Sequence, residues 1–135
     1  MAEESRNFQV EIITPERIFY TGEASMIEFT SVEGEMGVYK NHIPLTTVLA
    51  PGIVTITEDG GQKKAAEHAG FAEILGDKVT LLAEIAEWPD EIDFDRAEAA
   101  RERAKARIEN KQDSGIDMIR AELALRKALV RISLK

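Results

Sequence analysis

The side chains best suited to binding a ligand are basic residues in the last third of the chain. Arg96 and Arg103 are seven residues apart, so they share one face of a helix. Lys127 and Arg131 are four apart and share a face of a second helix. Antiparallel packing of the two helices could bring these cations around one polyphosphate. The alternative is a set of ordinary surface ion pairs at helical spacing. The glutamates available for such pairs are Glu98, Glu102 and Glu122.

Residue types that support catalysis are scarce in this sequence. Cysteine is absent, and no HxxxH or HxH spacing joins the two histidines, His42 and His68. The chain has neither a GxxxxGK[ST] phosphate loop nor a GxSxG nucleophile elbow. No pair of carboxylates stands out for acid–base work. We therefore expect no catalytic residue, no metal site and no enzyme activity.

Charge is distributed unevenly along the 135 residues. Residues 1–89 hold 15 acidic and 6 basic side chains, a net of −9, whereas residues 90–135 hold 10 acidic and 11 basic ones, a net of +1. The overall net charge of −8 argues against general binding of nucleic acids. The contrast between the halves predicts two parts with different partners, over residues 1–88 and 89–135.

Nothing in the sequence resembles a membrane span or a targeting segment. No apolar run approaches the roughly 18 residues that a spanning helix needs. The first eight residues, MAEESRNF, are acidic and polar, unlike a signal or transit peptide. We expect the chain to remain in a cytosol-like compartment.

The first part shows the two-residue period of half-buried strands. Asp59 and Gly60 separate two such segments and predict a tight hairpin. Because turn signals recur at short intervals, we expect an all-β sandwich of about ten short strands. The apolar positions that alternate with polar neighbours are Phe8, Val10, Ile12, Ile27, Phe29, Val54, Ile56, Val79, Leu81 and Ala83. His68 is expected on the strand surface.

The second part is rich in alanine and predicts an antiparallel two-helix hairpin. Acidic residues near Asp93 mark the first helix start, and helix formers continue to about Asn110. Asp113, Ser114 and Gly115 interrupt the pattern, and a second helix follows to about Ile132. Small facing residues bury little apolar area, so the hairpin should close weakly. The facing positions are Ala97, Ala100, Ala104 and Ile108 on one helix and Ala121, Ala124, Leu125 and Ala128 on the other.

Five segments carry a resemblance to a known family, one of them Glu84–Glu87 at the end of the sandwich. Val32–Leu45, VEGEMGVYKNHIPL, resembles the family signature G-E-[LM]-G-[IV]-x-x-x-H-x-P-L. Ile92–Ala97, IDFDRA, is similar to the nucleotide-binding motif I/L-D-x-x-R-A. Thr14–Pro15 and Arg120–Leu125 also match family positions. Over roughly residues 8–134, the chain resembles the epsilon subunit of bacterial rotary ATP synthases.

The resemblance implies a non-catalytic rotor subunit that joins the gamma subunit to the c ring of the membrane. It implies a peripheral location on the cytoplasmic face of the bacterial cell membrane, reached through the complex only. The C-terminal hairpin would either fold onto the sandwich or extend toward the catalytic beta (and alpha) subunits and slow ATP hydrolysis. No cofactor is required, but ATP would be a regulatory ligand, and the ring could carry protons or sodium. A free-standing ATP-sensing module is the alternative.

The resemblance also assigns candidate residues. Glu35 and His42 fall where family members contact the c ring, unless they are ordinary turn residues. Lys127 stands where ATP-binding members usually have arginine. A lysine ammonium cannot form the bidentate hydrogen bonds to phosphate that an arginine guanidinium forms. The candidate ATP-binding residues are Glu87, Ile92, Asp93, Arg96, Ala97, Arg103, Lys127 and Arg131.

Overall fold

A computed structural model describes residues 5–110 and 115–135. Within these residues, eight strands precede two helices. The strands are β1 (Phe8–Ile13), β2 (Ile18–Ala24), β3 (Met26–Ser31), β4 (Gly34–Val38), β5 (Leu45–Leu49), β6 (Gly52–Glu58), β7 (Gly61–Ile74) and β8 (Lys78–Glu87). A 3-10 turn at Pro89–Glu91 leads to α1 (Phe94–Glu109), and α2 spans Gly115–Ile132. The chain divides into two compact units, Met1–Ala86 and Glu87–Lys135.

The strands form the predicted β-sandwich, although the described residues contain eight strands rather than about ten. The predicted strands are short, whereas β7 and β8 are long, with 14 and 10 residues, so fewer strands cover the same stretch of chain. The main path of paired strands is β2-β1-β8-β7-β5-β3-β4, and β6 pairs with β3 and β7. The β1–β8 pair is parallel, whereas the other pairs whose register is known are antiparallel.

The core of the sandwich is built from the alternating apolar residues of the sequence pattern. The prediction is confirmed at every one of these positions, since each is less than 9% exposed. The residues are Phe8, Val10, Ile12, Ile27, Phe29, Val54, Ile56, Val79, Leu81 and Ala83. Ala72 and Ile74 of β7 add to this core. The alternating sequence pattern predicts these buried positions correctly because one face of each strand is buried and the other contacts solvent.

β7 changes partner halfway along its length. Its first part pairs with β6, with Glu58 opposite Gly61, which confirms the hairpin at Asp59 and Gly60. Its last part pairs with β5. Between the two, Ala69 (φ 58°) and Gly70 (φ 123°) adopt positive φ. A Cβ on Gly70 would collide with the carbonyl oxygen of Leu82, so this close strand approach requires glycine.

Gly70→Ala is therefore expected to destabilise the chain by about 2–4 kcal/mol, because it adds both backbone strain and a backbone clash. Urea unfolding followed by circular dichroism would measure the change. Gly60→Ala is the matched control, since a Cβ there meets no atom within 4 Å. Equal stability of the two variants would show that β7 tolerates a side chain at this bend.

Two titratable side chains of the first unit are buried. Glu67 and His68 are both 0% exposed, so the expectation of a surface position for His68 is wrong. Four consecutive residues of β7, Ala65–His68, are buried, which means that both faces of the strand are covered there. Neither carboxylate oxygen of Glu67 has a hydrogen-bond partner among residues 5–110 and 115–135. Burial raises the pKa of Glu67 to about 9.

The second unit is a helical hairpin with a small-residue interface. The buried helix residues include Ala97 and Ala104 of α1 and Ala121 and Ala128 of α2. Ala124 is exposed, which corrects its predicted place in the interface, because it lies at the edge of the stripe that Ala121 and Ala128 define. Lys135 Nζ lies 3.1 Å from Glu98 Oε1, so the end of α2 meets the start of α1.

Part of the predicted helix break, at Asp113 and Ser114, lies outside the described residues. Gly115 opens α2 rather than preceding it. Across the part of the chain that the structure describes, no helix combines the length and apolarity needed to cross a bilayer.

Candidate nucleotide-binding site

The start of α1 is fixed by local hydrogen bonds. Asp93 is the N-cap, and its Oδ1 accepts a hydrogen bond from the Arg96 backbone N–H at 3.0 Å. In the preceding 3-10 turn, Glu91 Oε1 accepts from the Trp88 backbone N–H at 2.9 Å. These bonds set the helix phase, and therefore the direction in which Arg96 projects.

The seven-residue spacing places Arg96 and Arg103 along one cavity, as the sequence predicts. The cavity has a volume of about 350 Å³, within the range of small-ligand sites. All of its lining belongs to the second unit. The lining residues are Glu87, Glu91, Asp93, Arg96, Ala97, Ala100, Arg103 and Arg131.

Arg131 is held by a charged hydrogen bond. Its Nε donates to Glu87 Oε1 at 2.7 Å, and both side chains are about one-quarter exposed, at 27% and 25%. A short charged hydrogen bond between partly buried side chains fixes the direction of the guanidinium. Arg131 therefore remains at the cavity wall with other N–H groups left to donate.

Arg96 and Arg103 differ from Arg131 in that their side chains make no hydrogen bond or ion pair with the described residues. Two of the three glutamates that could have formed such pairs bind elsewhere. Glu98 contacts Lys135, and Glu102 contacts Arg101. The two arginines can thus meet an anion without first losing a protein partner.

The structure brings together six of the eight candidate ATP-binding residues. Two candidates do not line the cavity: Lys127, which is half-buried on α2, and Ile92, which is buried. Glu91 and Ala100 line the cavity, although the sequence reading did not assign them there. Ala100 could have been predicted in the cavity wall from its spacing, because it lies three residues from both Ala97 and Arg103 and so shares their helix face.

The second pair of candidates lies in the sandwich. Glu35 is exposed in β4, opposite Thr30 of β3. His42 is half-buried, and its Nδ1 lies 2.7 Å from the Ile43 carbonyl oxygen. Among the described residues, no hydrogen bond or ion pair joins Glu35 to His42. The turn before His42 contains Asn41 at a φ of 67°.

The outer face of the sandwich carries an apolar row that the sequence reading did not identify. Ile18, Ile13 and Leu82 are successive cross-strand neighbours on β2, β1 and β8. Phe71 of β7 pairs with Val48 of β5. At the β7–β8 turn, the Leu75 N–H donates to the Lys78 carbonyl at 2.8 Å. Continuing this antiparallel register along the two strands places Phe71 opposite Leu82. We call these five residues the apolar row.

The apolar row is open to solvent and has a polar border. Exposed fractions are 65% for Ile18, 48% for Leu82, 54% for Phe71 and 43% for Val48. The adjacent cross-strand row is polar and consists of Thr21, Glu11, Thr80, Glu73 and Thr46. A contiguous apolar surface with a polar edge is typical of a protein–protein interface.

Comparisons with known proteins match both units. Residues 7–89 match the family model described as ATP synthase, Delta/Epsilon chain, beta-sandwich domain, and residues 90–135 match the long alpha-helix domain of the same family. The ATP synthase epsilon chain of Caldanaerobacter subterraneus subsp. tengcongensis is 44% identical over 96% of this chain and 94% of its own length. That of an Exiguobacterium species is 42% identical over 93% of both chains.

A solved structure shares the fold. A chain in the Euglena gracilis mitochondrial ATP synthase OSCP/F1/c-ring assembly superposes with a TM-score of 0.81 at 24% identity, covering 95% of this chain and 81% of that one. The family models account for nearly every residue, and the relatives align along almost their full length. This chain therefore belongs to the delta/epsilon chain family of ATP synthases.

Proposed function

We propose that this chain is a non-catalytic rotor subunit of the central stalk that joins the c ring to the gamma subunit. Ion flow through the ring, of protons or sodium, would then turn gamma and drive ATP synthesis. In this role the chain sits at the cytoplasmic face of a bacterial cell membrane and is held there through the complex. The family membership of both units supports the proposal.

The apolar row is the observation that carries the proposal. Phe71, Leu82 and Ile18 expose roughly half or more of their surface to water. Burial of apolar surface stabilises an interface by about 25 cal/mol per Å², so a partner that covers the row would gain substantially. We assign the row to gamma, because a rotor subunit must transmit torque through a stable, well-packed interface.

Glu35 and His42 form the proposed contact with the c ring. An exposed carboxylate and an imidazole near a strand end suit a polar, hydrated interface, where they would meet polar loops of the ring. Their separation from the apolar row in sequence and strand order allows one sandwich to bind two partners.

Replacing both residues, Glu35→Ala with His42→Ala, is expected to reduce proton- or sodium-driven ATP synthesis in membrane vesicles by severalfold. The isolated chain should remain folded, because the Glu35 side chain is exposed and makes no hydrogen bond or ion pair with the described residues, and the hydrogen-bond contact of the His42 ring is to the carbonyl of the next residue. Lys64→Ala, at an exposed site on β7 outside both proposed interfaces, is the control. Unchanged synthesis with full incorporation of the double variant would remove these residues from the interface.

The hairpin is the proposed regulatory element. ATP in the cavity would place its phosphates against Arg96, Arg103 and Arg131 and thereby stabilise the folded hairpin. Since the helix interface is mostly alanine, the folded and extended states should lie close in free energy. At low ATP the extended hairpin would meet the catalytic beta and alpha subunits and slow hydrolysis.

Purification from native membranes tests the proposed function. The chain is expected to elute with gamma and the c ring after detergent extraction and size-exclusion chromatography. A free-standing ATP sensor, the alternative function, would elute apart from the complex in every fraction, and that result would contradict the rotor role.

A further inference from the structure

A second cavity lies in the sandwich unit, outside the surfaces assigned to gamma and to ATP. Its volume is about 410 Å³, and it is formed by the N-terminal segment, the end of β2 and the turn after β4. We call it the N-terminal cleft. Its lining residues are Ser5, Arg6, Ser25, Tyr39, Lys40 and Asn41.

The charge of the N-terminal cleft is opposite to that of its unit. Residues 1–86 contain 14 acidic and 6 basic side chains. Two of those six, Arg6 and Lys40, line the cleft, and its described lining contains no carboxylate. Among the described residues, neither cation forms an ion pair. A local positive site on an acidic unit attracts small anions into the cleft.

The hydrogen bonds of the cleft hold its donors in place. Lys40 Nζ donates to the Ser5 carbonyl oxygen at 3.0 Å and keeps two further N–H groups. The Asn41 backbone N–H donates to the Gly76 carbonyl at 2.7 Å, which anchors the turn to the β7–β8 hairpin. The positive φ of Asn41, 67°, is part of the same turn. The cation on the turn is thus tied both to the N-terminal segment and to the sheet.

We propose that the N-terminal cleft binds a phosphate group, carried either by a soluble phosphate ester or by an anionic lipid headgroup. The guanidinium of Arg6 offers a fork that matches two phosphate oxygens, and Lys40 adds a compact positive charge. Hydroxyl groups of Ser5, Ser25 and Tyr39 supply neutral donors around them. The volume exceeds that of inorganic phosphate and leaves room for a glycerol-sized substituent.

The test is a titration of the full-length, 15N-labelled chain with sodium phosphate and with glycerol 3-phosphate at constant ionic strength. Saturable shifts of the Arg6 and Asn41 backbone amides are expected, with a Kd of about 1 mM or below. Arg6→Gln and Lys40→Gln should each weaken binding at least about tenfold, because each removes a charged hydrogen-bond donor. Arg6→Lys, which keeps the charge and loses the fork, should weaken it less.

Matched controls separate the N-terminal cleft from general electrostatics and from the helical cavity. Lys64→Gln makes the same charge change at an exposed site on β7 and should leave binding intact. Arg103→Ala alters only the helical cavity and should also leave the Arg6 and Asn41 shifts unchanged. Equal losses in Lys64→Gln and Arg6→Gln would overturn the proposal.

Vesicles distinguish the two sources of phosphate. Co-sedimentation with phosphatidylglycerol vesicles, but not with phosphatidylcholine vesicles, that is lost in Arg6→Gln would identify a lipid headgroup as the ligand. Shifts with glycerol 3-phosphate and no vesicle binding would identify a soluble ester. The absence of both saturable shifts up to tens of millimolar and vesicle binding would overturn the proposal.

Discussion

Glu67→Gln is expected to stabilise the chain at pH 7 by roughly 3 kcal/mol, whereas at pH 4 it should change stability little. The carboxyl group is 0% exposed, and its oxygens lack hydrogen-bond partners among the described residues. Burial without compensation disfavours the charged form and raises the pKa of Glu67 from 4.5 to about 9.

The sign of this pH dependence follows from the two pKa values. Below pH 4.5 the carboxyl is protonated in both the folded and the unfolded state, so ionisation of Glu67 has no effect on stability. Between pH 4.5 and about 9 the unfolded chain releases the proton while the folded chain retains it, and stability falls as the pH rises. Glutamine has no proton to release, so this loss should disappear.

Urea unfolding of both proteins at pH 4, 6 and 8 would measure the effect, with Glu73→Gln on the exposed face of β7 as the control. The difference between the Glu67→Gln variant and the parent should grow with pH, and the Glu73 variant should track the parent. Parallel curves for Glu67→Gln and the parent would mean that Glu67 is ionised inside the folded chain.

ATP is expected to bind the isolated chain saturably, and Arg103→Ala and Arg96→Ala are each expected to weaken that binding by about 10- to 100-fold. Both arginines line the cavity without a protein partner for their side chains among the described residues. Ligand phosphates would therefore gain each charged hydrogen bond in full. At a hundredfold excess over Kd, ATP stabilises the folded form by about 2.7 kcal/mol, which should raise the melting temperature.

Lys127 and Arg131 provide a sharper comparison within this prediction. Arg131 lines the cavity and Lys127 does not, so Arg131→Ala should weaken binding strongly and Lys127→Ala only slightly. Arg107→Ala, an exposed cation near the end of α1, is the charge control. Isothermal titration calorimetry would give the affinities. Equal losses of ATP affinity in Arg103→Ala and Arg107→Ala would show that binding depends only on net charge. The absence of binding heat at millimolar ATP would exclude the site.

Features that depend on local period could be predicted from the sequence. Phe8, Val10 and Ile12 follow strict alternation, and their burial needs only one covered face of the strand. Arg96 and Arg103 share the cavity because seven residues make nearly two helical turns, whatever the helix packs against. The hairpin at Asp59 and Gly60 likewise follows from turn chemistry.

Features that depend on tertiary arrangement could not be predicted. His68 is predicted at the strand surface, and the burial of Glu67 is not predicted, because charged and polar types are usually exposed. Their burial arises from cover on both faces of β7. Lys127 and Arg131 share a helix face, but only Arg131, one turn nearer the end of α2, lines the cavity. The apolar row joins residues from five strands, and only the strand order reveals that they are neighbours.

If this chain is a rotor subunit bound to gamma, the purified chain should bind purified gamma through the apolar row. Biolayer interferometry with Phe71→Glu and Leu82→Glu should show affinities at least about 100-fold below that of the parent, because each places a charge in the centre of the apolar row. Ile43→Glu, at an exposed apolar site beside His42 and outside the row, should bind gamma as the parent does. If Phe71→Glu and Leu82→Glu remain folded and bind gamma with the affinity of the parent, the account is contradicted.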